Sequence, residues 1–385
     1  MSIRIEQFCA NAPIFYIAIS KKAEYTVHIN KKEKLKMKLG NTEKLLNRKF
    51  TDKDFDSYGV FVYAKGEEKF LHSPNVNADT YFDIASMGKA LVTSPLILKA
   101  ADKNMLSLDD TLDGFFNDTP KDKAGITIKQ LLTHTSGIVR YEIPVEIADG
   151  GSSAVAEFIL KTPLAFTPGK SQQYSCNGMI LLGYILEKIY GKNLQKIFDE
   201  QLKKPLGYTR STFNITLDEP NAALCCRWKN IGGLECPWDD ENVRALKTSA
   251  GSGGQFFTMD DINKFAKAVI SKSAVLYSEN IFDLSEQNYV RDFGEGWGLG
   301  WLFVDEKYPQ TRKLFPVGSF GHCGHTGTSV FFSRKEDMYV IILTNATRFL
   351  NMKNDFKGYD YNKICEMRAD IHNSIYDDLS EQGLV

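Results

Sequence analysis

Ser86 and Lys89 form the only pair in this 385-residue chain in which a lysine follows a serine by three residues. On a helix this spacing places both side chains on one face, with Ser86 at the positive end of the helix dipole. A serine hydroxyl needs a base, and an ordinary lysine with a pKa of about 10.4 is neutral in roughly one molecule in 2,500 at pH 7. The pair therefore predicts nucleophilic catalysis, provided that burial or neighbouring cations lower the pKa of Lys89 towards 7.

Two further motifs follow along the chain and could complete such a site. Pro168-Gly169 leads through four residues to Tyr174-Ser175, directly before an apolar helix predicted over residues 179–190. A tyrosine in a loop that faces a pocket could relay protons. The segment FGHCGHTGTS, residues 320–329, opens a strand pattern whose glycines let a substrate approach the sheet edge. Each motif alone is more often structural, but the three in this order are specific.

Strand and helix patterns predict the scaffold that must position these residues. Ser86 follows a short strand, and Pro95 should kink the helix that comes after it or deprive that helix of a bond near Leu91. Residues 106–230 are mostly helical in pattern. Elsewhere the patterns predict a hairpin at 58–70, strands at 80–84, 300–304, 328–333 and 338–344, and helices at 87–105 and 362–378. The order predicts an α+β fold, in which an antiparallel sheet is flanked by helices and an all-helical subdomain is inserted.

The domain organisation follows from this alternation. We expect residues 51–100 and 245–385 to form the sheet domain, and residues 101–244 to form the inserted, mostly helical subdomain. Residues 1–50 are expected to form an N-terminal extension whose role the sequence leaves open. Its basic run, residues 31–38, is typical of a solvated helix face.

Composition excludes several classes of partner. Forty-seven basic residues against 48 acidic ones give a net charge of −1, which provides no field for nucleic acid. The chain contains no run of 18 apolar residues, so we expect no membrane span. Seven cysteines without a C-x-x-C pattern, and no recognisable signal peptide, favour reduced thiols and a cytoplasmic location.

Several residues have a plausible structural alternative. His322, Cys323 and His325 are close enough in sequence to suggest metal ligands, but on a strand the first two would point to opposite faces. His134 would serve the last carbonyl groups of a helix. The tryptophans either line an acyl pocket or fill the core, and the core is favoured: Trp228, Trp238, Trp297 and Trp301.

The chain resembles the serine β-lactamase and penicillin-binding-protein superfamily, in particular the class C-like branch that also holds esterases, D-amino-acid peptidases and acyltransferases. The resemblance covers about residues 58–346 and rests on FDIASMGK at 82–89, LSLDD at 106–110, ITIKQLLTHTSG at 126–137 and a glycine ladder at 294–300. It implies a sheet flanked by helices and a helical subdomain, with the catalytic pocket between them.

The resemblance also implies a role for each catalytic residue. Ser86 is expected to be the nucleophile, Lys89 its proton acceptor or electrostatic partner, and Tyr174 the second acid-base group. The backbone N–H groups of Ser86 and His325 are expected to form the oxyanion hole. Loss of one such donor typically removes about 2.7 to 4 kcal/mol of transition-state stabilisation.

Four residues are expected to contact the substrate, and two of them depart from the pattern of β-lactamases. Cys176 stands where the family's Tyr-x-Asn motif has the asparagine that holds the substrate's side-chain amide, and Asn177 could compensate. His322 occupies the position of the third motif's Lys or His, and supplies less fixed charge for a substrate carboxylate. Gly324 follows in the same motif. Both departures argue against efficient β-lactam hydrolysis.

The sequence thus predicts a serine hydrolase that forms an acyl-enzyme on a small ester, amide or peptide, without metal or cofactor. Three alternatives remain open: a class C-like β-lactamase or D-alanyl-D-alanine carboxypeptidase, an acyltransferase, and a weakly catalytic penicillin-binding or sensor homologue. Substrate identity and oligomeric state are not fixed by any motif.

Overall fold

Eleven strands are present in the part of the chain that the computed structural model describes. The described residues are 36–225, 228–229, 235–248, 250–292, 294–305, 311, 313–348 and 360–385. Most of the basic run at 31–38 lies outside them. The strands are β1 Tyr58–Ala64, β2 Glu67–His72, β3 Tyr81–Asp83, β4 Ala222–Ala223, β5 Trp228–Lys229, β6 Glu235–Cys236, β7 Phe256–Phe257, β8 Leu302–Phe303, β9 Phe320–Cys323, β10 Ser329–Ser333 and β11 Met338–Thr344.

Helices connect and cover these strands. The first covers Gly40–Thr51 (α1), and the last, Tyr361–Ser380 (α13), is the longest of the described helices. Between them lie α2 Ser94–Asp102, α3 Lys121–Ala124, α4 Ile128–Leu132, α5 Val145–Ala148, α6 Gly151–Lys161, α7 Cys176–Tyr190, α8 Leu194–Phe198, α9 Lys204–Leu206, α10 Glu241–Leu246, α11 Met259–Ile270 and α12 Glu279–Ser285. None of the described helices is long and apolar enough to cross a membrane.

Six strands form an antiparallel sheet in the order β2-β1-β11-β10-β9-β8. Because side chains alternate along a strand, the sheet has two apolar faces and builds a core on each. Val62 of β1, Phe331 of β10 and Val340 of β11 face α1 and α13. Phe61 and Ile341 face the opposite core, which also holds the apolar sides of α2, α7 and α11. The predicted antiparallel sheet flanked by helices is confirmed.

The N-terminal helix α1 packs on α13 rather than standing apart from the sheet domain. Asp378 near the end of α13 caps α1, because its Oδ2 accepts hydrogen bonds from Thr42 N at 2.8 Å and Thr42 Oγ1 at 2.7 Å. Within the residues predicted as an extension, Gly40–Thr51 is therefore part of the packed structure. The boundaries drawn at residues 100 and 244 stay predictions.

Pro95 lies inside a continuous helical run, residues 87–102, directly after a π-helical turn at Lys89–Thr93. The backbone passes from this turn into α2 with helical dihedral angles, since Thr93 and Ser94 are both helical. Proline has no N–H to donate to the carbonyl of Leu91, and the π-helical turn lies where this bond is lost. The loss of a helical bond predicted near Leu91 therefore coincides with this π-helical turn. The hairpin predicted at 58–70 is confirmed by β1 and β2, and the strand at 338–344 by β11.

Candidate active site

Ser86 lies in the turn between β3 and the helical segment that begins at Lys89. Ala85, just before it, has a φ of +47°, in the left-handed region that non-glycine residues rarely adopt. The turn is closed by hydrogen bonds from Met87 N to Ile84 O at 3.0 Å and from Lys89 N to Ser86 O at 3.1 Å. Ser86 is half-buried between buried neighbours, so the turn presents its hydroxyl at a surface.

Lys89 reaches back to the serine, as the spacing predicts. Its Nζ donates to Ser86 Oγ at 2.9 Å and to the carbonyl oxygen of Ser252 at 2.6 Å. The side chain is 1% exposed, and Nζ lies 5.0 Å from the centre of the Tyr174 ring. The structure therefore brings together Ser86, Lys89 and Tyr174, the three residues that the sequence motifs single out.

His134 fixes the loop that carries Tyr174. The carbonyl oxygen of His134 accepts from Gln173 N at 3.0 Å, and its ring Nδ1 accepts from Ser175 N at 3.3 Å. Ser175 then caps α7 through its hydroxyl, which accepts from Gly178 N at 3.1 Å. His134 is thus structural, as expected. Its ring, however, accepts a bond from the next loop instead of serving the end of α4.

The phenol of Tyr174 is protonated at neutral pH. Burial raises its pKa to about 12, although the neighbouring Lys89 ammonium opposes this rise. Its hydroxyl is buried and has no hydrogen-bond partner among the described residues, yet both Lys89 and Ser86 are near enough to influence its pKa. A buried, unpaired hydroxyl beside the nucleophile is placed to exchange a proton with a bound substrate.

The expected lowering of the Lys89 pKa is wrong for the free protein. Burial lowers this pKa, but the negative charge that Cys176, Tyr174 and Asp240 carry when ionised outweighs burial, and the pKa is raised. Lys89 is therefore an ammonium that donates to Ser86. At neutral pH the Tyr174 phenol is uncharged, so Lys89 and Tyr174 titrate as a pair. Sequence spacing places the amine near the hydroxyl, but it does not reveal the acidic groups around the amine.

Two unpaired backbone donors lie on adjacent segments, where an oxyanion hole is expected. Within the described residues, neither Ser86 N nor His325 N donates a hydrogen bond. The segments are in contact, since a Cβ added to Gly324 would lie 2.5 Å from the carbonyl oxygen of Ile84 and 3.2 Å from the Ala85 Cβ. Gly324 therefore allows close approach between the two backbones, and its predicted contact with the substrate stays a prediction. This proximity supports the predicted donors.

His322 lies in β9 beside the aromatic rings of the site. Its Nδ1–H donates to the carbonyl oxygen of Cys323 at 2.8 Å, so its buried Nε2 is an acceptor without a partner in the described structure. Burial first, and then the Lys89 charge, lower its pKa to about 3. His322 is consequently neutral and offers no positive charge to a substrate carboxylate.

The two candidate amide-binding positions have different surroundings. Cys176 is the first residue of α7, 5% exposed, and carries a free thiol. Asn177 is fully buried and its Nδ2 donates to the carbonyl oxygen of Tyr141 at 3.3 Å. Asn177 therefore holds the loop at Tyr141, and the expectation that it compensates for Cys176 is not supported by these contacts.

Neither the metal alternative nor a tryptophan-lined pocket is favoured by the observed contacts. His322 is bonded to a backbone carbonyl, and the Nε2 of His325 lies 3.1 Å from Asp239 Oδ2. Trp238 and Trp301 are core residues, and the side chain of Trp228 lies outside the described part of the chain. Trp297 does more than fill the core, because its ring centre lies 5.7 Å from that of Tyr174 and 5.6 Å from that of His322.

One feature of the site was missed at the level of sequence. The Ser252 carbonyl that binds Lys89 is 163 positions away from it, in the glycine-rich segment at 250–254. That segment is the one signal that could have pointed to Ser252, because such segments mark close backbone approach.

An antiparallel sheet flanked by helices, with a serine and a lysine at the start of a helical segment, is the arrangement of serine hydrolases with the β-lactamase fold. The sequence model of the Beta-lactamase family matches residues 42–356. The chain belongs to this family.

Individual relatives are distant. A candidate D-alanyl-D-alanine carboxypeptidase of Escherichia coli O157:H7 is 24% identical over 330 residues, which cover 75% of this chain and 74% of that protein. The octameric penicillin-binding protein homologue from Pyrococcus abyssi has a TM-score of 0.64 at 21% identity, over 83% of this chain and 78% of that one. EstCE1, a hydrolase with promiscuous acyltransferase activity, has a TM-score of 0.64 at 19% identity, over 83% and 98%.

Proposed function

We propose that this protein is a serine hydrolase that forms an acyl-enzyme at Ser86 on a small ester or amide and releases the acyl group to water. The observation that carries this proposal is the 2.9 Å contact between Lys89 Nζ and Ser86 Oγ, with Tyr174 beside it. A serine hydroxyl held beside a buried lysine becomes a nucleophile once the lysine, or a group coupled to it, can accept the hydroxyl proton.

Lys89 and Tyr174 act as a coupled base in this proposal. The resting pair holds an ammonium and a phenol, neither of which accepts a proton. When the pair loses one proton, it holds either a neutral amine beside a phenol or an ammonium beside a phenolate, and the amine or the phenolate can take the proton of Ser86. The base thus belongs to the pair, and activity should rise with pH as this proton is lost, until a further group at the site titrates.

The acyl transfer then proceeds in two balanced steps. Ser86 Oγ forms a bond to the substrate carbonyl carbon while its proton passes to the Lys89–Tyr174 pair. The bond to the leaving group breaks, and the pair returns the proton to that group. Water repeats the sequence and regenerates the serine. The N–H groups of Ser86 and His325 would stabilise the negative oxygen in both steps.

The surroundings of the site favour esters over penicillins. Penicillins and D-alanyl peptides carry a carboxylate, which the neutral His322 does not attract. Cys176 supplies no amide to hold a side-chain amide of the substrate. An ester has a better leaving group and needs neither contact. Carboxypeptidase activity, for which one relative is named, is therefore a less well supported proposal for this chain than acyl-enzyme chemistry in general.

The test is covalent labelling followed by intact mass measurement. We expect a fluorophosphonate probe to add one label per chain, which peptide mapping should locate on Ser86. Denatured protein is the control, because an unactivated serine does not react. A nitrophenyl ester should be turned over, and an added alcohol or amine acceptor separates hydrolysis from acyl transfer. No label and no turnover would leave only the binding or sensor homologue.

Replacing Cys176 with asparagine should change substrate preference. Asparagine restores an amide that can hold a substrate's side-chain amide, a contact worth about 1 kcal/mol or somewhat more, which corresponds to roughly a tenfold faster acylation by a penicillin. Ester turnover should stay within about twofold, because a simple ester makes no such contact.

Cys176→Ser is the matched control, since it removes the thiol without adding an amide. The measurement is the acylation rate by penicillin, followed by mass, together with kcat/KM for the ester. Equal penicillin rates in the wild type and in a folded Cys176→Asn variant would show that position 176 does not contact the acyl side chain.

A further inference from the structure

Two buried carboxylates lie under the nucleophile and have no part in the acyl-transfer steps. Asp83 ends β3 and is 2% exposed, and Asp239 is 8% exposed. The Oδ1 of Asp83 accepts from Ala85 N at 2.8 Å, and its Oδ2 accepts from Asp239 N at 3.1 Å. Asp83 therefore holds the residue just before Ser86 and, at the same time, a distant segment of the chain.

Asp239 continues this connection to the second oxyanion donor. Its Oδ2 lies 3.1 Å from the Nε2 of His325, and a carboxylate can only accept there, so the imidazole donates. The backbone N–H of the same His325 is the second donor of the proposed hole. The side chains of Asp83, Asp239 and His325 thus connect Ala85, which precedes the first donor Ser86 N–H, with the backbone that carries the second donor, His325 N–H.

Direct contacts between the two segments complete the frame. Thr326 Oγ1 donates to the carbonyl oxygen of Asp83 at 2.9 Å, and Thr328 Oγ1 donates to that of Ile84 at 3.2 Å. These bonds fix the 324–328 turn against the end of β3. Without the carboxylate network, however, the strained Ala85 backbone and the His325 side chain would both lose their anchors.

We propose that Asp83, Asp239 and His325 form a positioning network that holds the N–H groups of Ser86 and His325 in the geometry of an oxyanion hole. This inference rests on the proposed acyl-enzyme function. A shift of about 1 Å in such donors is enough to slow catalysis about a hundredfold, so a rigid frame has a direct effect on kcat.

The cost of Asp83 to folding supports a functional reason for its presence. Burial raises its pKa to about 6, although His325 and the Ala85 N–H oppose this rise. A carboxyl whose pKa is higher in the folded state than in the unfolded state favours folding when protonated. The contribution of Asp83 to stability therefore falls as pH rises from about 4 through 6. At neutral pH the ionised form is retained at the expense of stability.

The charged groups around His325 point to a pH dependence of catalysis. Burial lowers the pKa of His325, but the hydrogen bond and charge of Asp239, together with Asp240 and Asp83, outweigh it and raise the pKa. Cys225 also lies near both network carboxylates. Its pKa is raised well above the usual range, mainly by burial and against the effect of Arg348, so it is a neutral thiol.

Two changes in kcat should follow. Protonation of Asp83 near pH 6 takes one acceptor from the network, so kcat should fall on the acid side. Deprotonation of the His325 imidazolium removes a positive charge beside the developing oxyanion, so kcat should also fall at a pH above the ordinary histidine range.

Asp239→Asn is the main test, because asparagine keeps an acceptor for His325 and removes the charge. With a nitrophenyl ester we expect kcat to fall about 10- to 100-fold while KM stays within about twofold, since the network acts on the transition state. The alkaline decrease in kcat should move to lower pH. In a histidine NMR titration, the signal that is absent from His325→Gln should likewise titrate at lower pH, whether or not the protein turns over substrate.

Asp83→Asn is a second variant, in which the side-chain NH2 group must face either the Ala85 N–H or the Asp239 N–H, so that one acceptor is lost. Its kcat should fall similarly and the decrease near pH 6 should disappear. Asp261→Asn is the matched control, because Asp261 is also a buried carboxylate and accepts from Ser211 N at 2.8 Å and Thr209 N at 2.9 Å. This control should lose stability but keep the wild-type kcat profile.

The outcomes separate this proposal from the proposed function. If the wild type is labelled and turns over ester, but a folded Asp239→Asn variant keeps the wild-type kcat and pH profile, the positioning network is wrong. If the wild type is neither labelled nor active, the acyl-enzyme function fails and the network has no oxyanion hole to position. Should Asp83→Asn not fold, Asp239→Asn and the His325 titration still decide the matter.

Discussion

Ser86→Ala is expected to abolish labelling by the fluorophosphonate probe and to reduce kcat/KM for a nitrophenyl ester by about 10⁴-fold or more. The alanine removes the only atom to which the acyl group can be bonded. Lys89 would keep its bond to the Ser252 carbonyl, at 2.6 Å, so the pocket should retain its shape and charge. Ester binding should therefore survive in the variant, and competition of the ester with a fluorescent ligand can measure it.

Ser252→Ala is the matched control for this experiment. Ser252 lies at the same site, but it contacts Lys89 through its carbonyl group, and its hydroxyl is buried without a partner in the described structure. Its replacement should leave labelling intact. Full labelling of Ser86→Ala, or loss of labelling in Ser252→Ala alone, would show that Ser86 is not the nucleophile.

The parts of the fold that sequence could predict are those in which local patterning and burial agree. In β11, every second side chain faces one core and the others face the second, so an apolar run marks the strand at its true ends. The last helix was predicted for a similar reason, from regularly spaced apolar residues. A proline pattern likewise predicts a disturbed helix at Pro95, but it does not predict that the disturbance takes the form of a π-helical turn.

The proximity of Ser86, Lys89 and Tyr174 was predictable because their motifs are short and ordered. The charges of these side chains were not predictable. The state of Lys89 depends on Cys176, Tyr174 and Asp240, which approach it from other segments. The network of Asp83, Asp239 and His325 likewise connects positions up to 242 residues apart, and no spacing rule reports such contacts. The residue types of the site follow from sequence, and its electrostatics follow from the fold.

Lys89 and Lys99 are two buried lysines whose comparison tests whether Lys89 is retained for chemistry. Lys99 donates to the carbonyl oxygens of Val275 at 2.7 Å and Leu276 at 2.8 Å, and burial together with Lys103 lowers its pKa to about 8. It lies at the C-terminal half of α2, and its described hydrogen bonds go only to backbone. A lysine of this kind holds carbonyl groups and has no acid-base partner.

Lys89→Met should reduce kcat/KM for the ester by about 10³-fold or more, because methionine fills the space but can neither take the serine proton nor return it to the leaving group. Both variants remove a donor from buried carbonyl groups, so both should lower the melting temperature by roughly 2 to 5 °C. Lys99→Met, unlike Lys89→Met, should keep the wild-type kcat/KM. Ester kinetics and thermal melts on both variants make the comparison. If Lys89→Met lost stability but kept its activity, Lys89 would hold the Ser252 carbonyl and take no part in catalysis.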